Sequence, residues 1–356
     1  MSQDNIINDA EWIMSNCQPG GGITENTQAG RNQVHPYFGC YAAIGLCAAQ
    51  TYAQDGRYYN AAWNWMDFIK TRTRGGRLSQ NQAPGTFITD VTWDPVSKTY
   101  SNVTTNPGAD SVDSYAALFV IAVYALAVVG GDPYRNRIIA LRPYLENAWQ
   151  NMVNCYNTVI HSSVTFPGFL AMGTAMYVED NAEFQTALQC LMLLKEQYFD
   201  DTFAKTDFTG GVENMQLDHI NNFVANFYHA GSGTWSVTNG SGAANLATTY
   251  PDAQAQILVA ELLPSSLNAN TNANLSTILA NQPNIYQSSD GALMCNALVR
   301  SNQLKAQRQL LVATGDYEIS NNRPFTGRAW VTGDIGLLLV ARTNTTTKFF
   351  PTIGTT

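Results

Sequence analysis

Charge is scarce in this chain. Only 13 % of its 356 residues are Asp, Glu, Lys or Arg, and the basic ones are outnumbered, 19 against 27, for a formal net charge of -8. A nucleic-acid partner needs a clustered basic face, so this balance argues against one. Histidine is rarer still, with 4 residues, and the 6 cysteines form no Cys-x-x-Cys pair and have no histidine at zinc-ligand spacing. No metal site is expected, and Cys17, Cys40, Cys47, Cys155, Cys190 and Cys295 read as small buried hydrophobes. A Gly-rich phosphate loop and a nucleophile elbow are both lacking, so cofactor-free chemistry is the expectation. The N-terminal residues MSQDNIINDAEW have neither a basic nor an apolar leader region. No signal peptide is read there, and the compartment stays open between the cytoplasm and export with a leader removed. The longest apolar run, Ala116 to Val129, falls short of the roughly 18 to 20 residues that span a bilayer. No membrane partner is expected, and the chain reads as a monomer.

What the chain does have is a large core: 45 % of its residues are hydrophobic and 11 % aromatic. That composition belongs to a soluble globular protein, here read as one domain over 1–356 with a frayed Thr-rich tail over 343–356. Apolar residues recur at helical spacing over 5–16, 37–54, 58–72, 111–129, 134–154, 180–198 and 212–228. An eighth helix opens at Tyr250, and 271–281, 290–301, 302–315 and 330–342 complete twelve. Pro143 should kink the fifth. Between the third and fourth, around residues 75–107, alternation over Thr86 to Val91 and Lys98 to Tyr100 predicts a small β-hairpin turning at Asp94-Pro95.

The fourth helix is the most telling. Asp110-Ser111-Val112-Asp113-Ser114-Tyr115 suits a helix N-terminus, where unpaired backbone N–H groups attract carboxylates and caps. Behind it the sequence is apolar on every face, so the helix must be enclosed by protein. Twelve helices joined alternately by short turns and long loops predict stacked hairpins closing into an all-α (α/α)6 toroid. The even-numbered helices would then form an inner ring with their N-termini at one end. Such a ring gathers His35, Asp110 with Asp113, Asp180 with Glu183, Asp252, Asp290 and Asp334 at one mouth. Any single Asp among these is an ordinary helix cap; the collection, ringed by Trp93, Tyr100 and Trp235, has the acids and stacking faces of sugar chemistry.

The ordered set Pro36-Tyr37, Trp63-Asn64-Trp65, Gly85 to Asp90, Asp110 to Ala117, Asp180-Asn181-Ala182-Glu183 and Tyr250 to Gln256 resembles the six-hairpin glycosidase-like superfamily. Within it, a little-characterised bacterial group shows the same motifs in the same order, over about residues 30 to 342. A looser similarity is to family-8 glycoside hydrolases, in which an Asp motif opening the fourth helix binds the sugar beside the cleaved bond and a Glu before the second helix is the acid. Asp110 or Asp113 would match the first and Glu25 the second by position, although ITENTQ around Glu25 departs from that family's motif.

The resemblance implies a carbohydrate substrate and a glycoside hydrolase, expected to be inverting, with Asp113 and Glu183 as the paired catalytic carboxylates. Asp110 beside Asp113 would raise its pKa by like-charge repulsion. Asp90, Asp110, Asp180 and Asp252 are expected to shape the substrate site, with Tyr37, Trp93 and Trp235 as stacking platforms. Three alternatives stay open. A non-catalytic carbohydrate-binding protein would use the carboxylates as caps; a sugar epimerase would need a relay among His35, His161, His219 and His229; a polysaccharide lyase would use Arg31, Asn32 and His35. A terpene cyclase lacks its clustered acid motif.

Overall fold

A computed structural model describes residues 3–70, 72, 91–102, 112–164, 176–205, 208–320 and 330–352. Six helices form its centre: α2 (Pro36–Ala53), α4 (Val112–Gly130), α7 (Val178–Tyr198), α9 (Gln254–Leu262), α11 (Ser289–Arg300) and α13 (Thr332–Arg342). Each packs on the next in that order, and α13 returns to α2, so the ring closes. Around it lie α1 (Gln3–Ser15), α3 (Gly56–Ile69), α5 (Arg135–Ile139) with α6 (Arg142–Cys155), α8 (Gly211–Phe227), α10 (Thr271–Asn281) and α12 (Leu304–Ser320). This is the expected toroid, with the even-numbered helices of the sequence pattern inside.

Composition separates the two rings. From Tyr115 to Ala127 every residue of α4 is buried, as its all-round apolar pattern requires. Its 18 residues from Asp113 to Gly130 are long and apolar enough to cross a membrane, but they sit enclosed in the ring. Outer α3, by contrast, is capped by Asp55, whose carboxylate accepts from Arg57 N at 3.0 Å, and turns Tyr58, Ala62, Trp65 and Ile69 inward. The ring closes where Gly45 on α2 meets Gly336 on α13. A Cβ on Gly45 would lie 2.3 Å from Gly336 Cα, so only glycine permits the approach.

Two expectations change. Pro143 breaks the fifth helix outright: α5 stops at Ile139 and Pro143 takes the first turn of α6, where its missing N–H costs nothing. The tail is not frayed over 343–352, since α14 (Thr346–Phe349) docks with Phe349 and Phe350 fully buried and Thr346 Oγ1 donates to Asn296 Oδ1 at 2.6 Å. Residues 353–356 lie outside the described set.

Short antiparallel sheets decorate the connections from outer to inner helices. β2 (Val91–Asp94) and β3 (Thr99–Asn102) form the hairpin turning after Asp94, extended by β1 (Gln33–Val34). The strand expected from Thr86 therefore appears as Val91–Asp94, and 86–90 lie outside the described residues. β4 (Tyr156–Asn157) pairs with β5 (Ser162–Ser163), and β6 (Tyr228–His229) with β7 (Thr234–Trp235).

Candidate active site

The inner helices start at one end of the ring, and a cavity of about 450 Å³ opens there. Residues from the start of all six inner helices line it: His35, Tyr37 and Phe38 of the α2 entry, Tyr115 of α4, Glu179 and Asp180 of α7, Gln254 of α9, Ser289 of α11, and Gly333 and Asp334 of α13. Tyr250 reaches it from the wide π-helical turn that leads into α9, and Arg31 from the loop before α2. Helix N-termini carry partial positive charge, which favours carboxylates in the first turn. The sequence placed them there, and the ring brings them together.

Glu179 is the unsatisfied member. Its Oε2 is buried with no hydrogen-bond partner among the described residues. Burial, reinforced by the Asp290 carboxylate, pushes its pKa up to about 7. Asp180, 8 % exposed, lies 3.5 Å from Ser114 Oγ. Asp334 Oδ2 accepts from Val331 N at 3.0 Å, fixing the entry to α13. Between the starts of α2 and α4, Tyr115 Oη lies 3.1 Å from His35 Nε2.

Glu183, one turn below Glu179, is enclosed and takes no part in lining the cavity. Its Oε1 accepts from Tyr37 Oη at 2.9 Å and Tyr41 Oη at 2.8 Å, and its Oε2 shares a hydrogen bond with Ser114 Oγ. Burial raises its pKa to about 8; the two tyrosine hydroxyls oppose the shift, and Glu179 and Asp113 add to it. Asp113 is enclosed too, held by Ser163 Oγ of β5 at 2.5 Å. The proposed catalytic pair thus lies behind the wall, because α7 starts at Val178, two residues earlier than the sequence pattern placed it, and turns Glu179 and Asp180 to the mouth.

The remaining candidates divide. Tyr37 lines the cavity but spends its hydroxyl on Glu183. Trp93 and Trp235 are not platforms: each is 2 % exposed. Trp93 packs on Tyr100 across the hairpin, and Trp235 on Phe223 and Tyr228, with its backbone clamped by Gln256 through two 2.7 Å bonds. Asp252 does not line the cavity; its Oδ1 accepts from Asn245 N at 2.8 Å and ties down the rim. Asp90 and Asp110 lie outside the described residues. Glu25 sits behind Arg31, 3.7 Å away, with its pKa raised by burial against the pull of that guanidinium.

Sequence reasoning missed Glu179, Tyr41 and Tyr250 as cavity residues. Tyr250, 66 % exposed at the rim, supplies the aromatic face that the tryptophans do not. Glu179 had a signal, as the residue before Asp180 in the same first turn. Of the histidines, only His35 lines this cavity. His219 packs between Gln185 and Asn181, its pKa pushed down to about 3 by burial. Among the described residues no group of three or more metal ligands occurs, and all six cysteines are free thiols.

No protein-family model and no curated protein matches the chain. Solved structures do. A glycosidase variant superposes with a TM-score of 0.60 at 12 % identity, covering 96 % of each chain. The fold is six-hairpin glycosidase-like. A GH76 α-mannanase from Bacteroides thetaiotaomicron follows at 0.57 and 7 % identity, covering 97 % of this chain and 95 % of that one. A D-mannose isomerase superposes at 0.56 and 9 % identity over 97 % of both.

Proposed function

We propose that the chain is a glycoside hydrolase that takes an oligo- or polysaccharide into the mouth of the ring, with Glu179 and Asp180 as the reacting carboxylates. The observation that carries this reading is that two neighbouring acids open on one cavity in unlike surroundings, Glu179 with a buried, unpartnered Oε2 and Asp180 beside the Ser114 hydroxyl. Glycoside hydrolysis generally requires one carboxylic acid to protonate the leaving oxygen and one carboxylate to activate water or attack the sugar. Environments that treat two carboxyls differently assign those roles. Glu179, held near half-protonation at neutral pH, is the acid in this reading, and Asp180 is the base that activates water, with inversion at the anomeric carbon. Asp334 and Arg31 are expected to hold sugar hydroxyls, and Tyr250 and Phe38 to cover the apolar sugar face. Asp90 and Asp110 remain proposed substrate ligands from the sequence.

A panel of glycans assayed for new reducing ends tests the reading, run beside Glu179→Gln and Asp180→Asn. Variants that match the wild type overturn the assignment, and a retained anomer overturns inversion. A second reading, aldose–ketose isomerisation, draws on the His35–Tyr115 contact at the cavity wall and the D-mannose isomerase fold. It leaves chain length unchanged, whereas a lyase would leave an absorbing unsaturated sugar.

A further inference from the structure

Ser114 Oγ, buried in the first turn of α4, has one proton and two carboxylates in reach: Glu183 Oε2 and, at 3.5 Å, Asp180 Oδ1. The other oxygen of Glu183 already accepts both Tyr37 and Tyr41. With both carboxylates ionised, Ser114 can serve only one, and its lone pairs face the other. With a proton on Glu183 Oε2 every contact is satisfied. Glu183 then donates to Ser114, Ser114 donates to Asp180, and Oε1 still accepts the two tyrosines.

We propose that Glu183 and Ser114 are positioning residues for Asp180: protonated Glu183 turns the Ser114 hydroxyl on to Asp180 and holds that carboxylate ionised and aimed into the cavity. The functional meaning of this arrangement rests on Asp180 being the reacting base. The surroundings favour the protonated form. Glu179 on the helix of Glu183 and Asp113 on α4 add their negative charge to the effect of burial on Glu183, while α2 offers only the hydroxyls of Tyr37 and Tyr41; Asp180 also faces it across Ser114, and Glu261 on α9 is itself raised well above the ordinary range by burial. On α8, His219 is turned to Gln185 and Asn181, Asp218 to Tyr156 and His161, and Glu213 to Lys195. Arg300 donates to the backbone carbonyl of Glu261, and its charge opposes the upward shift of that carboxyl. Burial, which raises the Glu183 pKa to about 8, keeps the proton in place at neutral pH.

The test is a carboxylate titration of the whole protein by ¹³C NMR, with the Asp180 resonance assigned by its loss in Asp180→Asn. In the wild type this resonance should show a second inflection on the alkaline side as Glu183 ionises. Ser114→Ala should move the main Asp180 midpoint up by about one unit, because the carboxylate loses a donor, and shrink the second inflection. Glu183→Gln should abolish that inflection. On a glycan that is turned over, Ser114→Ala should lower kcat about tenfold with KM within about twofold, and Ser114→Thr should recover most of the loss. An Asp180 titration unchanged in both Ser114→Ala and Glu183→Gln overturns the proposal. Absence of turnover on every glycan counts against the hydrolase reading alone, since the titration still decides this one.

Discussion

The two ends of the inner ring bury charge in opposite ways. At the mouth, where the helices begin, the first turns carry Asp113, Glu179 with Asp180, Asp290 and Asp334. At the far end, where they finish, the last turns carry Lys195, Arg300 and Arg342, with buried Glu261 of α9 the exception. Apart from Glu261, each sign matches the partial charge of its helix ends. The far end is also filled: Arg300 donates to the carbonyls of Glu261 and Phe350, and Arg342 to Asp9, while Phe349 and Phe350 plug the ring. The mouth keeps a cavity and an acid with an unpartnered oxygen. A buried charge whose neighbours complete its bonding is structural; one that opens on a cavity unsatisfied is available for a ligand.

That contrast can be broken from either side. At the mouth, Glu179→Gln and Asp180→Asn should each lower turnover by about 10²- to 10⁴-fold, read as kcat, with little change in thermal midpoint. At the far end, Arg342→Ala should cost roughly 3–5 kcal/mol in denaturant unfolding by removing the buried cation paired with Asp9. Trp235→Ala should likewise cost about 3–5 kcal/mol, whereas Tyr250→Ala should leave stability unchanged and raise KM for a glycan.

A pH series sharpens the comparison further. Glu183 is raised in the folded state from the ordinary 4.5 to about 8, so the native form holds the proton more tightly. Its contribution is fully present below the unfolded value and is lost as pH climbs through the folded one. Stability should therefore fall between those values, with a slope approaching about 1.4 kcal/mol per pH unit, and Glu183→Gln should flatten it. The smallest effect expected is that of Asp252→Ala, about 1 kcal/mol for the lost rim bond to Asn245 N.

The ring was legible from the count of twelve helices joined alternately by short turns and long loops, and α4 from its all-round apolar run behind Asp113. Asp180 was legible as an acid at the start of an even-numbered helix. Glu179 was not, because helix starts read from pattern carry an uncertainty of a residue or two, and at a helix N-terminus that shift rotates a different side chain into the cavity. Trp93 and Trp235 misled because an aromatic in a polar loop looks like an exposed platform. Strand register decides otherwise, setting Trp93 opposite Tyr100 and Trp235 opposite Tyr228. The docked end was hidden in Phe349-Phe350, two apolar residues too few for any periodicity to register.

The glycine contact between α2 and α13 has a consequence for how the molecule is made. Gly45 must wait on the ribosome for Gly336, so the seam can close only after nearly the whole ring has been synthesised. Until then the nascent arc presents the flank of α2 that α13 will cover, with Phe38, Tyr41, Ala42 and Gly45, to whatever is nearby. Contacts so distant in sequence slow folding and expose sticky surface meanwhile. A chain of this design should therefore depend on chaperones during synthesis more than its finished, sealed form suggests.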